Sequence, residues 1–216
     1  MLIVKVQNKI LAVPHVSGSS RCHIEADANP NVEILGHFSH HQDWPESPEH
    51  DWIREHACLP FYGCVREPRE RYLSYLGRFH FKRQKDIFDN ENNPIDIGAG
   101  KDWNTETYLK FSRFMKDNPQ RNPHITPQSI QFTRLEELIK KPIIYFKMKN
   151  LEDQFEDTGR VKPIDHNWMW NASWREQAVE RYKLSNEFLD WWYNLIDEDL
   201  EKDILWYKKV VDTHPS

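Results

Sequence analysis

Ile10-Leu11-Ala12-Val13-Pro14-His15-Val16-Ser17-Gly18-Ser19-Ser20-Arg21-Cys22 is the stretch that decides the architecture. Four apolar residues, the length of a buried strand, run into a turn with Gly18 and three serines, after which His23-Ile24-Glu25-Ala26 can start a helix. Strand, small-residue loop and helix N-terminus in that order let backbone N–H groups converge on one point. The positive end of the helix dipole lies behind them, and the serine hydroxyls add donors. The loop is a candidate anion cradle. It is not a Walker A loop, because G-x-x-x-x-G-K-[ST] cannot be written on it.

Working outward, Ile3 to Gln7 reads as a strand before this one, with Asn8-Lys9 between them. Val32 to Leu35 is a further strand, running into Gly36-His37-Phe38-Ser39-His40-His41, and Glu49 to Ala57 a short helix. An apolar strand from Leu59 ends on Arg66, with Pro68 placed for the first turn of the helix that follows. Asp86 to Lys101 is a polar loop, and Trp103 to Lys116 a helix with an apolar stripe of Tyr108, Phe111, Phe114 and Met115. Leu135 to Lys140 is a short helix, Pro142 to Lys147 a buried strand, Asn150 a helix start, and Ala172 to Lys208 a terminal helical segment. Alternating strands and helices imply an α/β fold: a single domain over residues 1–216 with a mainly parallel central sheet flanked by helices and a P-loop-like, phosphate-cradling turn.

Composition excludes several classes. With a net charge of −5 and a pI near 6.1, general nucleic-acid binding and acidic-membrane binding are disfavoured. Cys22, Cys58 and Cys64 are too few and too irregular for a disulfide framework or structural zinc, and read as mostly buried thiols. No run of 18 apolar residues occurs, and Met1 to Val6 is too short an apolar start for a signal peptide. The expectation is a soluble, cytoplasmic protein of unassigned oligomeric state.

Several motifs together resemble the sulfotransferases that use 3′-phosphoadenosine 5′-phosphosulfate (PAPS), closest to the carbohydrate, uronyl 2-O-sulfotransferase-like families. Pro14 to Ser20 resembles their Pro-Lys-x-Gly-Gly/Ser-Thr-Ser loop, which holds the 5′-phosphosulfate; His15 stands where the lysine is usual. Val65-Arg66-Glu67-Pro68-Arg69-Glu70-Arg71-Tyr72-Leu73-Ser74 resembles Val-Arg-Asp-Pro-x-x-Arg-x-x-Ser, the element for the 3′-phosphate, including the arginine-to-serine spacing. Gly36-His37 resembles the Gly-His whose histidine is the proposed base, and His124-Ile125-Thr126-Pro127-Gln128 their His-x-x-Pro-Gln segment. Asn150-Leu151-Glu152-Asp153 and the segment Asp199 to Tyr207 are similar to late elements of these families.

The resemblance implies a cofactor site of Pro14, His15, Val16, Ser17, Gly18, Ser19, Ser20, Arg21, Arg66 and Ser74, with Arg160 and Lys162 from a late loop. It implies catalytic roles for His37 as general base and for His15 in the lysine's place. His40, His41, His124 and Gln128 fall to the acceptor side. PAPS would be the donor, PAP (3′-phosphoadenosine 5′-phosphate) the product, and a carbohydrate hydroxyl the acceptor; no metal is required. The chemistry suits these residue types: an arginine fork binds phosphate bidentately, and a neutral imidazole takes a hydroxyl proton at neutral pH.

Other readings stay open at this point. His37, His40 and His41 also fit a solvated loop or a metal site, Trp168, Trp170 and Trp174 fit core or lid packing, and the basic run from Arg71 to Lys85 fits a solvated face. A member of the fold that binds nucleotide or sulfated ligand without turnover is the alternative function.

Overall fold

In the computed structural model, the described residues are 1–15, 17–38, 50–72, 74, 126–158 and 185–213. Strands β1 (Leu2–Val6) and β2 (Lys9–Val13) are joined by only Gln7 and Asn8, with Gln7 in the left-handed region at φ 50°. A two-residue loop can join only antiparallel neighbours, and the register Leu2↔Val13 to Val6↔Lys9 is that of a hairpin. β1 also pairs antiparallel with β3 (Val32–His37). On the other side β2 pairs parallel with β4 (Phe61–Val65), and β4 parallel with β5 (Ile144–Lys147).

The five strands lie in the order β3-β1-β2-β4-β5. The fold is therefore α/β with a mixed sheet, a correction to the mainly parallel one expected: β1 runs against both neighbours because the hairpin turn is too short for a crossover. β2, β3, β4 and β5 nevertheless point the same way, so all four end on one edge of the sheet.

Helices cover both faces. α1 (Ser19–Ala28) and the 3-10 helices Met148–Asn150 and Glu152–Thr158 lie on the face formed by Leu2, Val4, Leu11, Val13, Cys64 and Phe146, which buries Cys22, Leu151 and Phe155. α2 (Asp51–Glu55), α3 (Gln128–Ile139) and α4 (Asn186–Thr213) cover Ile3, Ile10, Ala12, Phe61, Val65 and Tyr145 with Ile53, Phe132, Leu135, Leu138 and Val210. Each such side chain fully removed from water contributes about 1.5–3 kcal/mol. Phe132 stacks on Trp206 of α4 at 5.7 Å and meets Tyr145 of β5 edge-on at 5.2 Å. Gly63 leaves room for this cluster, since a Cβ there would lie 2.8 Å from Phe132 Cε1 and 2.9 Å from Tyr145 Cδ1.

α3 begins seven residues before the Leu135 start expected, because Asp203 of α4 caps its first amides. Downstream of β5 the chain forms 3-10 rather than α-helix. The expected Trp103 to Lys116 helix, the Asp86 to Lys101 loop, and Trp168, Trp170 and Trp174 lie outside the described residues, as does the beginning of the terminal helical segment. The chain leaves β2 for α1 on one face, whereas after β4 it enters helical residues 68–72, which Arg69 ties to Asp197 of α4 on the opposite face. Open α/β sheets bind ligands beyond the carboxyl ends of adjacent strands whose continuations part in this way.

Candidate functional site

The loop after β2 is a tight turn. Ser17 N–H donates to Pro14 O, and Gly18, at φ 104°, accepts from the amides of Arg21 and Cys22 to start α1. Only glycine suits position 18, because the left-handed backbone would be strained by a side chain and a Cβ would collide with Leu151. Gly18 contributes no side-chain cap, so among the described residues no side chain caps the amides of Ser19 and Ser20 that open α1. Ser17 is fully buried, and its Oγ has no hydrogen-bond partner among the described residues. A buried unsatisfied hydroxyl costs about 1–3 kcal/mol, and one just before a helix N-terminus that lacks a side-chain cap suits an anion. Cys64 Sγ donates to Ser17 O at 3.2 Å, holding the loop against β4; burial keeps this thiol, and that of Cys22, protonated by pushing both pKa values up.

His37 ends β3 at a β-bulge. The pairing shifts between Ile3 and Val4, leaving Leu35 extra, and Gly36 takes φ 154° with the Trp52 ring packed against it. The bulge turns His37 toward the β2 loop, where its ring stacks on that of half-buried His15, with centroids 5.3 Å apart and planes 8° apart. His23 of α1 completes a trio, 6.4 Å from His37. Partial burial lowers the His37 pKa below the ordinary imidazole value, and nearby positive charge, His23 included, adds to this. The shift favours the neutral imidazole, the form a general base needs. His23 was passed over in the sequence because it belongs to no motif; its signal was its place on the first turns of the helix behind the loop.

Arg66 lies one residue past β4, 9 % exposed, with Glu70 Oε2 3.9 Å from its Nε. Burial lowers its pKa, which Glu70 opposes and Arg71 reinforces, yet a guanidinium remains charged. Glu67 caps helical residues 68–72 by accepting the Glu70 amide, and burial raises its carboxyl pKa. Arg71, fully buried, donates from Nε to His15 O at 3.3 Å and from Nη1 to Thr126 O at 2.9 Å. Two buried guanidinium side chains therefore flank the β2 loop, one tied to it directly.

The expected site residues divide into three groups. Pro14, His15, Ser17, Gly18, His37 and Arg66 belong to loops or strand ends at one sheet edge, and Ser19 and Ser20 open α1 beside them; Ser74 is described, half-buried and helical like residues 68–72. Val16, His40, His41, His124, Arg160 and Lys162 lie outside the described residues. Two residues are used differently from expectation. Arg21, expected at the cofactor, is 1 % exposed, bonded to Glu25 one helical turn on, with Glu152 at 3.7 Å, and so braces α1 from within. Gln128, expected on the acceptor side, is fully buried and gives its amide to the Arg66 backbone, accepting from its N–H at 3.0 Å and donating to its carbonyl at 2.7 Å.

The arrangement offers an amide-and-hydroxyl cradle, a buried arginine and a neutral histidine, a set able to hold a phosphorylated ligand and take a proton beside it. Among the described residues, no group of three or more His, Cys, Asp or Glu is arranged to hold a metal ion, and no helix is long and apolar enough to cross a membrane. No protein-family model, curated protein or solved structure matches the chain.

Proposed function

We propose that the chain is a PAPS-dependent sulfotransferase acting on a hydroxyl, with a carbohydrate as the acceptor class. The observation carrying this reading is the 5.3 Å stacking of His15 on His37, which joins two motifs from separate segments at the sheet edge where Arg66 also lies. The donor set fits the nucleotide: the first α1 amides, without a side-chain cap among the described residues, and the buried Ser17 Oγ suit the 5′-phosphosulfate, and Arg66 with Ser74 the 3′-phosphate. When bound, PAPS supplies an activated sulfuryl group, and its other product is PAP.

The chain's own residues bind, orient and move a proton. An unprotonated ring nitrogen of His37 accepts the proton of the acceptor hydroxyl. His15, in the place of the usual lysine, would donate a hydrogen bond to the phosphosulfate. Arg71, by holding His15 O, keeps that ring in register. The P-loop-like character of the turn belongs to this same reading.

The histidine at position 15 also favours a second function, binding nucleotide or sulfated ligand without turnover, since it is not a permanent cation. Calorimetry with PAP and AMP on wild type and Arg66→Ala tests the nucleotide site. Binding that needs both the 3′-phosphate and Arg66 is expected, and equal binding of AMP would refute the proposal. Transfer from PAPS to carbohydrate acceptors, lowered about 10²–10⁴-fold in His37→Ala, separates turnover from binding alone.

A further inference from the structure

Beyond the last ladder pair, Val65↔Lys147, the sheet has no register partner for Arg66. Its backbone N–H and C=O are instead both answered by the side chain of Gln128, at 3.0 and 2.7 Å. The amide thus imitates one more residue of sheet pairing, and the two contacts fix which end is oxygen and which nitrogen. Gln128 is held in turn. Its own amide and that of Ser129 donate to the two carboxylate oxygens of Asp203, at 3.2 and 2.8 Å, where Pro127 provides no side-chain cap for α3. Gln128 is fully buried and Asp203 1 % exposed, so neither meets a ligand from solvent.

We propose that Gln128, fixed by Asp203, is the positioning residue for Arg66, and that this α4–α3–β4 connection sets selectivity for a nucleotide bearing a 3′-phosphate. The inference rests on the sulfotransferase reading of Arg66. A long guanidinium side chain magnifies any rotation of its backbone, so a phosphate fork needs a fixed starting point as well as charge. The β2–α1 cradle is held from the opposite face by Leu151 and by Cys64 Sγ, contacts that do not run through Gln128, while the Arg71 bond to His15 O comes from a different side chain. Loss of the clamp therefore separates the two halves of the nucleotide site: recognition of the 3′-phosphate weakens, and recognition of the 5′-phosphate does not.

The test is calorimetric binding of PAP and AMP to wild type, Gln128→Leu, Gln128→Glu and Arg66→Ala, with thermal unfolding of each. Gln128→Glu is the near-isosteric variant in case Gln128→Leu does not fold; it can accept the Arg66 N–H but, ionised, cannot donate to the carbonyl. Either Gln128 variant is expected to bind PAP about tenfold more weakly, with AMP affinity within about twofold, the loss anticipated for one or two net hydrogen bonds. Asp203→Asn should move the PAP-to-AMP ratio in the same direction. A purely structural role would lower the melting temperature and leave the ratio alone. If Gln128→Glu keeps the wild-type ratio while Arg66→Ala loses it, the positioning role is wrong and the nucleotide site stands. If wild type itself does not prefer PAP, the sulfotransferase reading falls and takes this inference with it.

Discussion

Replacement of Gly63 by alanine is a direct test of how the core beneath the site is packed. The new Cβ would lie 2.8 Å from Phe132 Cε1, 2.9 Å from Tyr145 Cδ1 and 3.0 Å from Ile143 Cγ2, all shorter than ordinary carbon contacts. β4 cannot retreat, being paired with β2 on one side and β5 on the other. Phe132 cannot swing away either, fully buried between the Tyr145 edge and the Trp206 face. Overpacking of this kind costs about 1–3 kcal/mol, while alanine recovers about 0.4–1 kcal/mol by restricting the unfolded chain, leaving a net loss of about 1–2 kcal/mol. For a chain of 216 residues that corresponds to a fall in melting temperature of about 2–8 °C. Urea unfolding should show a lower midpoint at unchanged slope. In Phe132→Leu the smaller side chain relieves the clash, so the double variant should lose less than the sum of the singles, by about 1 kcal/mol. A Gly63→Ala protein as stable as wild type, or strict additivity with Phe132→Leu, would refute the packing argument.

Two further outcomes follow from charges at the site. Because burial lowers the His37 pKa, the acid limb of the proposed sulfuryl-transfer rate should lie below pH 6.5; His23→Ala, by removing a neighbouring source of positive charge, should move it upward, and an unmoved limb would show that His23 does not act on His37. For stability the sign is the same: the folded state binds the His37 proton more weakly than the unfolded chain, so its contribution is present above about 6.5 and lost as pH falls through the folded value. Glu67 has the opposite sign, since burial raises its pKa; its contribution is present below the ordinary value of 4.5 and lost as pH rises through the folded one. Glu67→Gln, which keeps an acceptor for the Glu70 amide, should therefore melt higher than wild type at pH 7 and lose that advantage toward pH 4; an equal difference at both pH values would count against it.

What could be read from the sequence was whatever local punctuation announces. The ends of β2, β3 and β4 are marked by Pro14, Gly36 and Pro68, and so the strand-end positions of His15, His37 and Arg66 were legible. The direction of β1 was legible in principle, since two residues between strands force a hairpin, but the alternation of strands and helices elsewhere outweighed it. The place of Arg21 next to the loop conceals its helical relation to Glu25, four residues on and on the same inward face. Gln128 could not be assigned from local pattern at all: its partners lie 62 and 75 residues away, and a polar residue in a motif looks the same whether it meets a ligand or a backbone.

The distance of those partners bears on the order in which the chain is assembled. β1 to β4, with both histidines and the glycine loop, belong to the first third of the sequence, and their contacts close early and cheaply. Arg66 then waits on Gln128, and Gln128 on Asp203 in the final helix, so long-range closures must follow one another before the arginine is anchored. A nascent chain that has completed β4 carries every residue of the loop-and-histidine half, yet presents Arg66 on an unsecured end. The anchoring of the Arg66 backbone thus depends on the docking of the terminal helix, although the arginine itself is the residue most readily recognised in the sequence.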